Sequence, residues 1–307
     1  MVRTFLMSLV LLSLAVHASA VAPPTLPIIT IDSEMHTARI NSMAIDGDDQ
    51  LLATASNDKT VKLWELKTGK FIRTIRPPVG DNNEGYLRAV AISPDGSIVA
   101  AGGETGYSWD KSFSVYIFSA ATGIMQTRIH GLTRPINRLS YSGDGKFLAV
   151  GLRSGGGLAV YSTRDYTVQY ADHSIPGSVT ALEFDSNNEL ILATNKGELK
   201  RYRTNGASAF SIKTDGHDIA NISISPDGEH VAIGYNDKAI FDMKNARDGS
   251  TSAKVFVEPD VRWHANPGGK FKAVAWAKDG NHFFATGNRS RIFKNKTLCV
   301  WNTNQPM

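Results

Sequence analysis

The chain has 307 residues, of which 42% are hydrophobic and 20% charged, and its formal net charge is +4. So small a charge on so long a chain gives no reason to expect a nucleic-acid partner. The length suffices to bury one large core, and a single cysteine, Cys299, excludes an intramolecular disulfide.

Residues 1–20 read as a secretory signal peptide. Arg3 supplies the positive start, Phe5 to Val16 the apolar run, and Ala18-Ser19-Ala20 the small-residue cleavage site. Loss of Arg3 lowers the net charge from +4 to +3. No later segment approaches the ~20 apolar residues that a spanning helix needs. The expectation is an exported chain, periplasmic or extracellular, with no membrane contact after cleavage. Residues 21–34 follow, and within them Pro27 to Ile31 reads as an extra strand.

From residue 35 to 307 one pattern recurs about six times: an apolar run, an Asp-Gly type turn, a second run, then a third ending in an aromatic. The turns are Asp46-Gly47-Asp48-Asp49, Ser93-Pro94-Asp95-Gly96, Ser142-Gly143-Asp144-Gly145, Asp185-Ser186-Asn187-Asn188, Ser225-Pro226-Asp227-Gly228 and Ala277-Lys278-Asp279-Gly280. Positions 48, 95, 144, 187, 227 and 279 lie 40–52 residues apart, the period of a four-stranded propeller blade. In the first unit the strands are expected at Ile40 to Ile45, Leu51 to Ala55, Val61 to Trp64 and Lys70 to Ile75, with Gly, Asp and Asn in the turns. Phe118, Tyr161, Tyr202 and Trp301 take the place of Trp64 in later units. In the fifth unit Ile240-Phe241-Asp242 is expected where the third strand ends.

The stretch from His36 through Thr54 and Asp58 to Trp64-Glu65 resembles the WD40 repeat. The resemblance implies an all-β propeller of about six blades over residues 27–302. It also implies a structural tetrad, His36, Thr54, Asp58 and Trp64, hydrogen-bonded across the blade. Asp58 has no counterpart in four later units, where Ser112, Gly155, Lys196 and Asn295 stand. In such proteins a segment like Pro27 to Ile31 forms the outer strand of the last blade and closes the ring. Six closed blades and an incomplete ring of seven both remain open. The signal peptide, Arg76-Pro77-Pro78-Val79-Gly80, Asn83-Glu84-Gly85 and Gly102-Gly103-Glu104-Thr105-Gly106-Tyr107 together look like the amino-terminal propeller of secreted bacterial WD40 and caspase-like proteins.

No catalytic, cofactor or metal motif emerges. There is no Gly-x-Ser-x-Gly, no Walker-type loop and no His-Glu-x-x-His. His130, His217, His230, His264 and His282 lack metal-ligand spacing. Lys200-Arg201-Tyr202-Arg203 reads as a solvated face. The longer insertions (Arg76 to Tyr86, Gly103 to Lys111, Arg153 to Gly157, Asp260 to Lys270 and Asn288 to Lys296) all fall on one rim of a propeller. That makes the rim the candidate partner-binding face, with Tyr86, Tyr107, Trp109, Arg134, Arg153, Arg262, Trp263 and His264 as its candidate contacts. The alternative is that Trp109 and Trp263 plug the channel or pack their own loops. The expected molecule is a non-catalytic, monomeric interaction or sensing module for a protein partner or linked domain. The alternative is a regulatory propeller of a larger caspase-like cysteine peptidase.

Overall fold

The computed structural model describes residues 34–80, 83–106, 111–214, 216–237, 240–256, 270–280, 282–288 and 297–302. They form six antiparallel sheets, five of four strands and one of three. The first holds β1 (Ile40–Ile45), β2 (Leu51–Ser56), β3 (Val61–Glu65) and β4 (Phe71–Ile75). The second holds β5 (Leu87–Ile92), β6 (Ile98–Gly103), β7 (Phe113–Ser119) and β8 (Met125–Leu132), and the third β9 (Ile136–Tyr141), β10 (Phe147–Leu152), β11 (Leu158–Ser162) and β12 (Val168–Asp172). The fourth is β13 (Val179–Phe184), β14 (Leu190–Thr194), β15 (Glu198–Tyr202) and β16 (Ser208–Lys213). The fifth is β17 (Ile219–Ile224), β18 (His230–Tyr235), β19 (Ile240–Asn245) and β20 (Thr251–Phe256), and the sixth β21 (Lys270–Trp276), β22 (His282–Asn288) and β23 (Thr297–Asn302). Each sheet follows chain order, and first strands lie against the first strands of neighbouring sheets, as blades around an axis. The fold is an all-β propeller.

The turn between first and second strands is built from its own side chains. Ser93, Ser142 and Ser225 donate their hydroxyls to Asp95, Asp144 and Asp227 at 2.5–2.7 Å. The same hydroxyls accept N–H from Ile98, Phe147 and His230, while each Asp accepts N–H from Ser97, Lys146 or Glu229. Asp46 and Asp185 do this work in the first and fourth units, accepting from the N–H groups of Gln50, Leu51, Asn187 and Glu189. The turn must then enter the left-handed region, which Gly96, Gly145 and Gly228 do at φ 71°. Asp49 and Asn188 enter it without glycine, at 55° and 59°, as short polar side chains permit.

All six such turns span five residues, from 46–50 to 277–281, and so do the five turns between third and fourth strands. On the opposite rim the connections reach from 76 to 86 between β4 and β5 and from 104 to 112 between β6 and β7. The expected asymmetry of loops is therefore present.

The core consists of layers between sheets. Ala53, Val61 and Leu63 of the first sheet meet Val90, Ile92, Val99 and Phe118 of the second, and similar layers join the second to third and fourth to fifth sheets. Close approach needs small residues on second strands. A Cβ on Gly151 would lie 2.5 Å from Val179 Cγ1.

All six first strands carry a bulge where they pair with the second strand, at Asn41, Arg88, Asn137, Thr180, Ala220 and Lys272. The bulge puts every first strand in the same register toward its neighbours. It also makes positions strictly comparable between blades. Leu87, Val90 and Ile92 are at most 5% exposed, whereas their equivalents Ile40, Met43 and Ile45 are 46%, 68% and 49% exposed. On the sixth sheet Ala273 and Ala275 are exposed. Lys278 nonetheless reaches Asp49, 2.5 Å away, and joins the sixth-sheet turn to the first. Pro27 to Ile31 lies outside the described residues. We expect Ile92→Ala to cost about 2–5 kcal/mol and Ile45→Ala less than about 1 kcal/mol, read as the shift in urea midpoint.

Two expectations need correction. The third strand of the fifth sheet runs on to Asn245, so Lys244 stands opposite Val231 as Trp64 stands opposite Leu52. The aromatic position of that unit is a buried lysine, which a search for aromatics passes over. The Lys200 to Arg203 run is no single solvated face, because strand alternation splits it. Arg201 and Tyr202 are buried, Lys200 pairs with Asp172 at 3.2 Å, and only Arg203 is exposed.

Candidate functional site

Two groupings of predicted residues meet in space. The first crosses the first sheet. Trp64 Nε1–H donates to Thr54 Oγ at 2.9 Å, and Thr54 Oγ lies 2.8 Å from His36 Nε2. His36 Nδ1 lies 2.7 Å from Asp58 Oδ2, which also accepts the N–H of Thr37. Asp58 Oδ1 accepts from the Thr60 hydroxyl and N–H at 2.6 and 3.0 Å. The polarity runs one way: indole to hydroxyl, hydroxyl to imidazole, imidazole to carboxylate. Burial opposes the charge on Asp58, but bonds from Thr60, His36 and Thr37 outweigh it and hold the carboxyl below its ordinary range. A His, a Thr and an Asp in contact evoke a nucleophilic triad. Thr54 is buried, however, and its oxygen already serves the indole, so it is not placed to attack anything.

The second grouping lies on the long-loop rim above the first three sheets. Lys59, in the loop after β2, holds the Gly80 carbonyl at 2.7 Å and lies 5.9 Å from the Tyr86 ring centre. The backbone of Tyr86 accepts from Glu104 N–H at 2.9 Å, and Gly85 N–H donates to Glu104 O at 2.7 Å. These bonds zip the 76–86 loop to the loop after β6. Their closeness explains Gly103, where a Cβ would lie 2.1 Å from the Tyr86 carbonyl oxygen. The Glu104 carboxylate receives Arg88 Nε and Arg153 Nη1, each at 3.0 Å, tying the second sheet to the third. Arg153 N–H donates to Pro135 O, and Arg134 lies across Gly156, whose Cβ would meet its side chain at 2.8 Å. Arg134 itself is exposed.

Tyr86, Arg134 and Arg153 therefore belong to one strip, along with Lys59 and Arg88, which the sequence did not single out. Arg88 carried only a positional signal, since it follows the 76–86 loop, and Lys59, in the short turn between β2 and β3, carried none. Four cations stand there against Glu84 and Glu104, so the strip is net positive. Tyr107, Trp109, Arg262, Trp263 and His264 lie outside the described residues.

The fifth unit carries a pair that the sequence reading missed, His217 Nδ1 to Asp237 Oδ2 at 3.0 Å. Asp237 follows Ile233 as Asp58 follows Thr54, so comparing strand registers would have found it. His217 is half-buried and Asp237 exposed, whereas the His36 side chain is buried. Among the described residues no group of His, Cys, Asp and Glu is arranged to hold a metal ion.

Comparison with known proteins agrees with this geometry. The family described as "WD domain, G-beta repeat" matches residues 28–65 and 69–116, and "Anaphase-promoting complex subunit 4 WD40 domain" matches residues 182–279. The chain belongs to the WD40-repeat family. Periodic tryptophan protein 2 of Arabidopsis thaliana is 22% identical over 268 residues, 84% of this chain and 24% of that protein. The small ribosomal subunit protein RACK1 of Neurospora crassa is 34% identical over 113 residues, 36% of this chain and 33% of that protein. Protein groucho of Drosophila melanogaster is 25% identical over 201 residues, 64% of this chain and 25% of that protein. The chain thus spans a third or less of these relatives. Against the WD40 pattern its first unit is complete, and the later units keep the turns and strands but exchange the polar cross-braces.

Proposed function

We propose that this WD40 propeller is a non-catalytic scaffold that receives an acidic protein segment on the long-loop rim of its first three blades. The observation that carries this reading is the strip itself. Backbone pairing with Glu104 holds Tyr86, the Glu104 carboxylate holds Arg88 and Arg153, and the Gly80 carbonyl holds Lys59, with exposed Arg134 beside them on the rim where loops are long. Aromatic and arginine side chains dominate protein interfaces, and net positive charge selects acidic partners and speeds their approach. The relative named as the small ribosomal subunit protein RACK1 is compatible with scaffolding. Export by residues 1–20 belongs to the same reading, as does a partner that is either a separate protein or a linked domain.

The test compares two reversals of charge. Arg134→Glu lies on the strip and Arg164→Glu on an exposed turn of the opposite rim. The partner is captured and identified from the exported fraction of the source cells by crosslinking with the wild-type chain, then titrated against each variant. Arg134→Glu should weaken binding by at least tenfold, Tyr86→Ala by a similar factor, and Arg164→Glu by less than twofold. Equal affinity for all three, in variants whose circular dichroism is unchanged, would remove the rim from consideration.

A further inference from the structure

An open cleft of about 500 Å³ lies where β3 and β4 of the first sheet meet the 93–97 and 120–124 turns of the second. It is on the rim of short turns and so independent of the strip on the long-loop rim. Its volume falls in the range of small-molecule sites, roughly 300–1,000 Å³. Leu51, Leu63, Ile72 and Ile98 give it an apolar wall. Leu63 is 1% exposed and belongs to the core layer beneath, whereas Ile72 is 40% exposed. Ile72 is the extra residue between the register pairs Leu63–Arg73 and Trp64–Phe71, a bulge that re-aims its side chain. Facing them, Gly96, Ala120 and Ala121 are too small to fill the space.

Arg73, half-buried, is the cation of this cleft. It stands opposite Leu63, and its stem runs beneath Gly123, where a Cβ would lie 3.5 Å from Arg73 Cδ and 3.7 Å from Ile75 Cγ1. Packing thus places the stem but offers the head nothing. Arg73 Nε is shielded from water and has no hydrogen-bond partner, and none of the described residues pairs with the rest of the guanidinium. The acid that lines the cleft, Asp95, is engaged elsewhere. Its Oδ1 accepts from the Ser93 hydroxyl and from the N–H and hydroxyl of Ser97, and its Oδ2 from the Ser97 hydroxyl. A guanidinium has donors and no acceptor, and a shielded donor without a partner carries a desolvation cost. An acceptor entering the cleft removes that cost.

We propose that this cleft binds a small amphiphilic anion. Its carboxylate or phosphate head pairs with the Arg73 guanidinium, and its aliphatic tail lies on Leu51, Ile72 and Ile98. Head and tail are both required. A bare anion gains only a half-exposed ion pair, which is worth little in water. A neutral chain buries apolar surface but leaves the Arg73 donors unmet.

The full chain is titrated with sodium octanoate and separately with octyl phosphate, below micelle-forming concentrations and at constant ionic strength. Sodium acetate lacks the tail and 1-octanol the charge. Saturable binding by calorimetry is expected for at least one amphiphile, at least tenfold tighter than for acetate or octanol. Octanoate alone would indicate a carboxylate-headed ligand, octyl phosphate alone a phosphate-headed one, and both a site that reads only charge and tail. In a chain labelled at arginine nitrogen, the Nε–H signal that is missing from Arg73→Lys should shift with the same midpoint. Arg73→Gln should bind at least tenfold more weakly, while Arg164→Gln, on an exposed turn of the same rim, should bind as wild type does. If Arg73→Gln does not fold, Arg73→Lys takes its place and should bind at least threefold more weakly. No saturable binding of either amphiphile, octanol bound as tightly as they are, an Arg73 Nε–H signal that does not move, or equal affinity in the Arg73 variant would overturn the site.

Discussion

Replacing Arg201 by methionine is expected to destabilise the propeller by about 3–5 kcal/mol, the cost of leaving a buried charge without its partner. Arg201 lies on β15 and is 5% exposed. Its Nη2 meets Asp185 Oδ2 at 2.5 Å, its Nε meets Glu189 at 2.8 Å, and its Nη1 donates to the Ala246 carbonyl at 2.5 Å. All three faces of the guanidinium are thus used. Asp185 and Glu189 belong to the turn between β13 and β14, and Ala246 follows β19, so one side chain pins a turn of the fourth blade and joins that blade to the fifth. The Asp185 side chain is fully buried, and methionine would abandon it there. Urea denaturation followed by tryptophan fluorescence measures the loss. The double variant Arg201→Met with Asp185→Asn should recover part of it, because the stranded charge is then gone. A loss below about 1 kcal/mol in the single variant would mean that water reaches Asp185 and that the pair is not a clamp.

Arg201 also shows where reading a sequence stops. The turns, the strands of the first blade and the rim insertions were legible because each follows from local chemistry. Ser-x-Asp-Gly closes on itself, Val61 and Leu63 share one face of their strand, and a long insertion cannot hide inside a blade. Lys200-Arg201-Tyr202-Arg203 looked like a charged surface because nothing local says that Asp185, sixteen residues back in an earlier turn, lies beside Arg201 in space. The same holds for Glu104, whose two arginine partners come from different blades. Lys244 was hidden for a different reason. The register of β19 is set by pairing with β18, and no residue within the strand announces it. Propeller repeats make positions comparable once the register is known.

Asp58→Ala is the second large effect, expected to cost about 2–3 kcal/mol. It removes the acceptor of His36, Thr60 and the Thr37 N–H together, and donors buried without partners carry the desolvation penalty. His36 and Asp58 side chains are 3% and 8% exposed, so water replaces little of what is lost. Asp58→Asn separates charge from shape. The carboxyl of Asp58 titrates below its ordinary range, so its stabilising contribution is complete above the unfolded-state value of about 3.9. That contribution disappears as pH falls through the folded-state value. The wild type should therefore lose stability on acidification below that range, and the asparagine variant should lose less. Asp95, Asp144 and Asp227 are also held low by their turn hydroxyls and N–H groups, so both proteins keep a common acid loss. The difference between their urea midpoints, followed from pH 7 down to about 3, isolates the Asp58 share. A constant difference across that range would show that Asp58 acts through hydrogen-bond geometry alone. A difference that shrinks on acidification would show that its charge braces the blade.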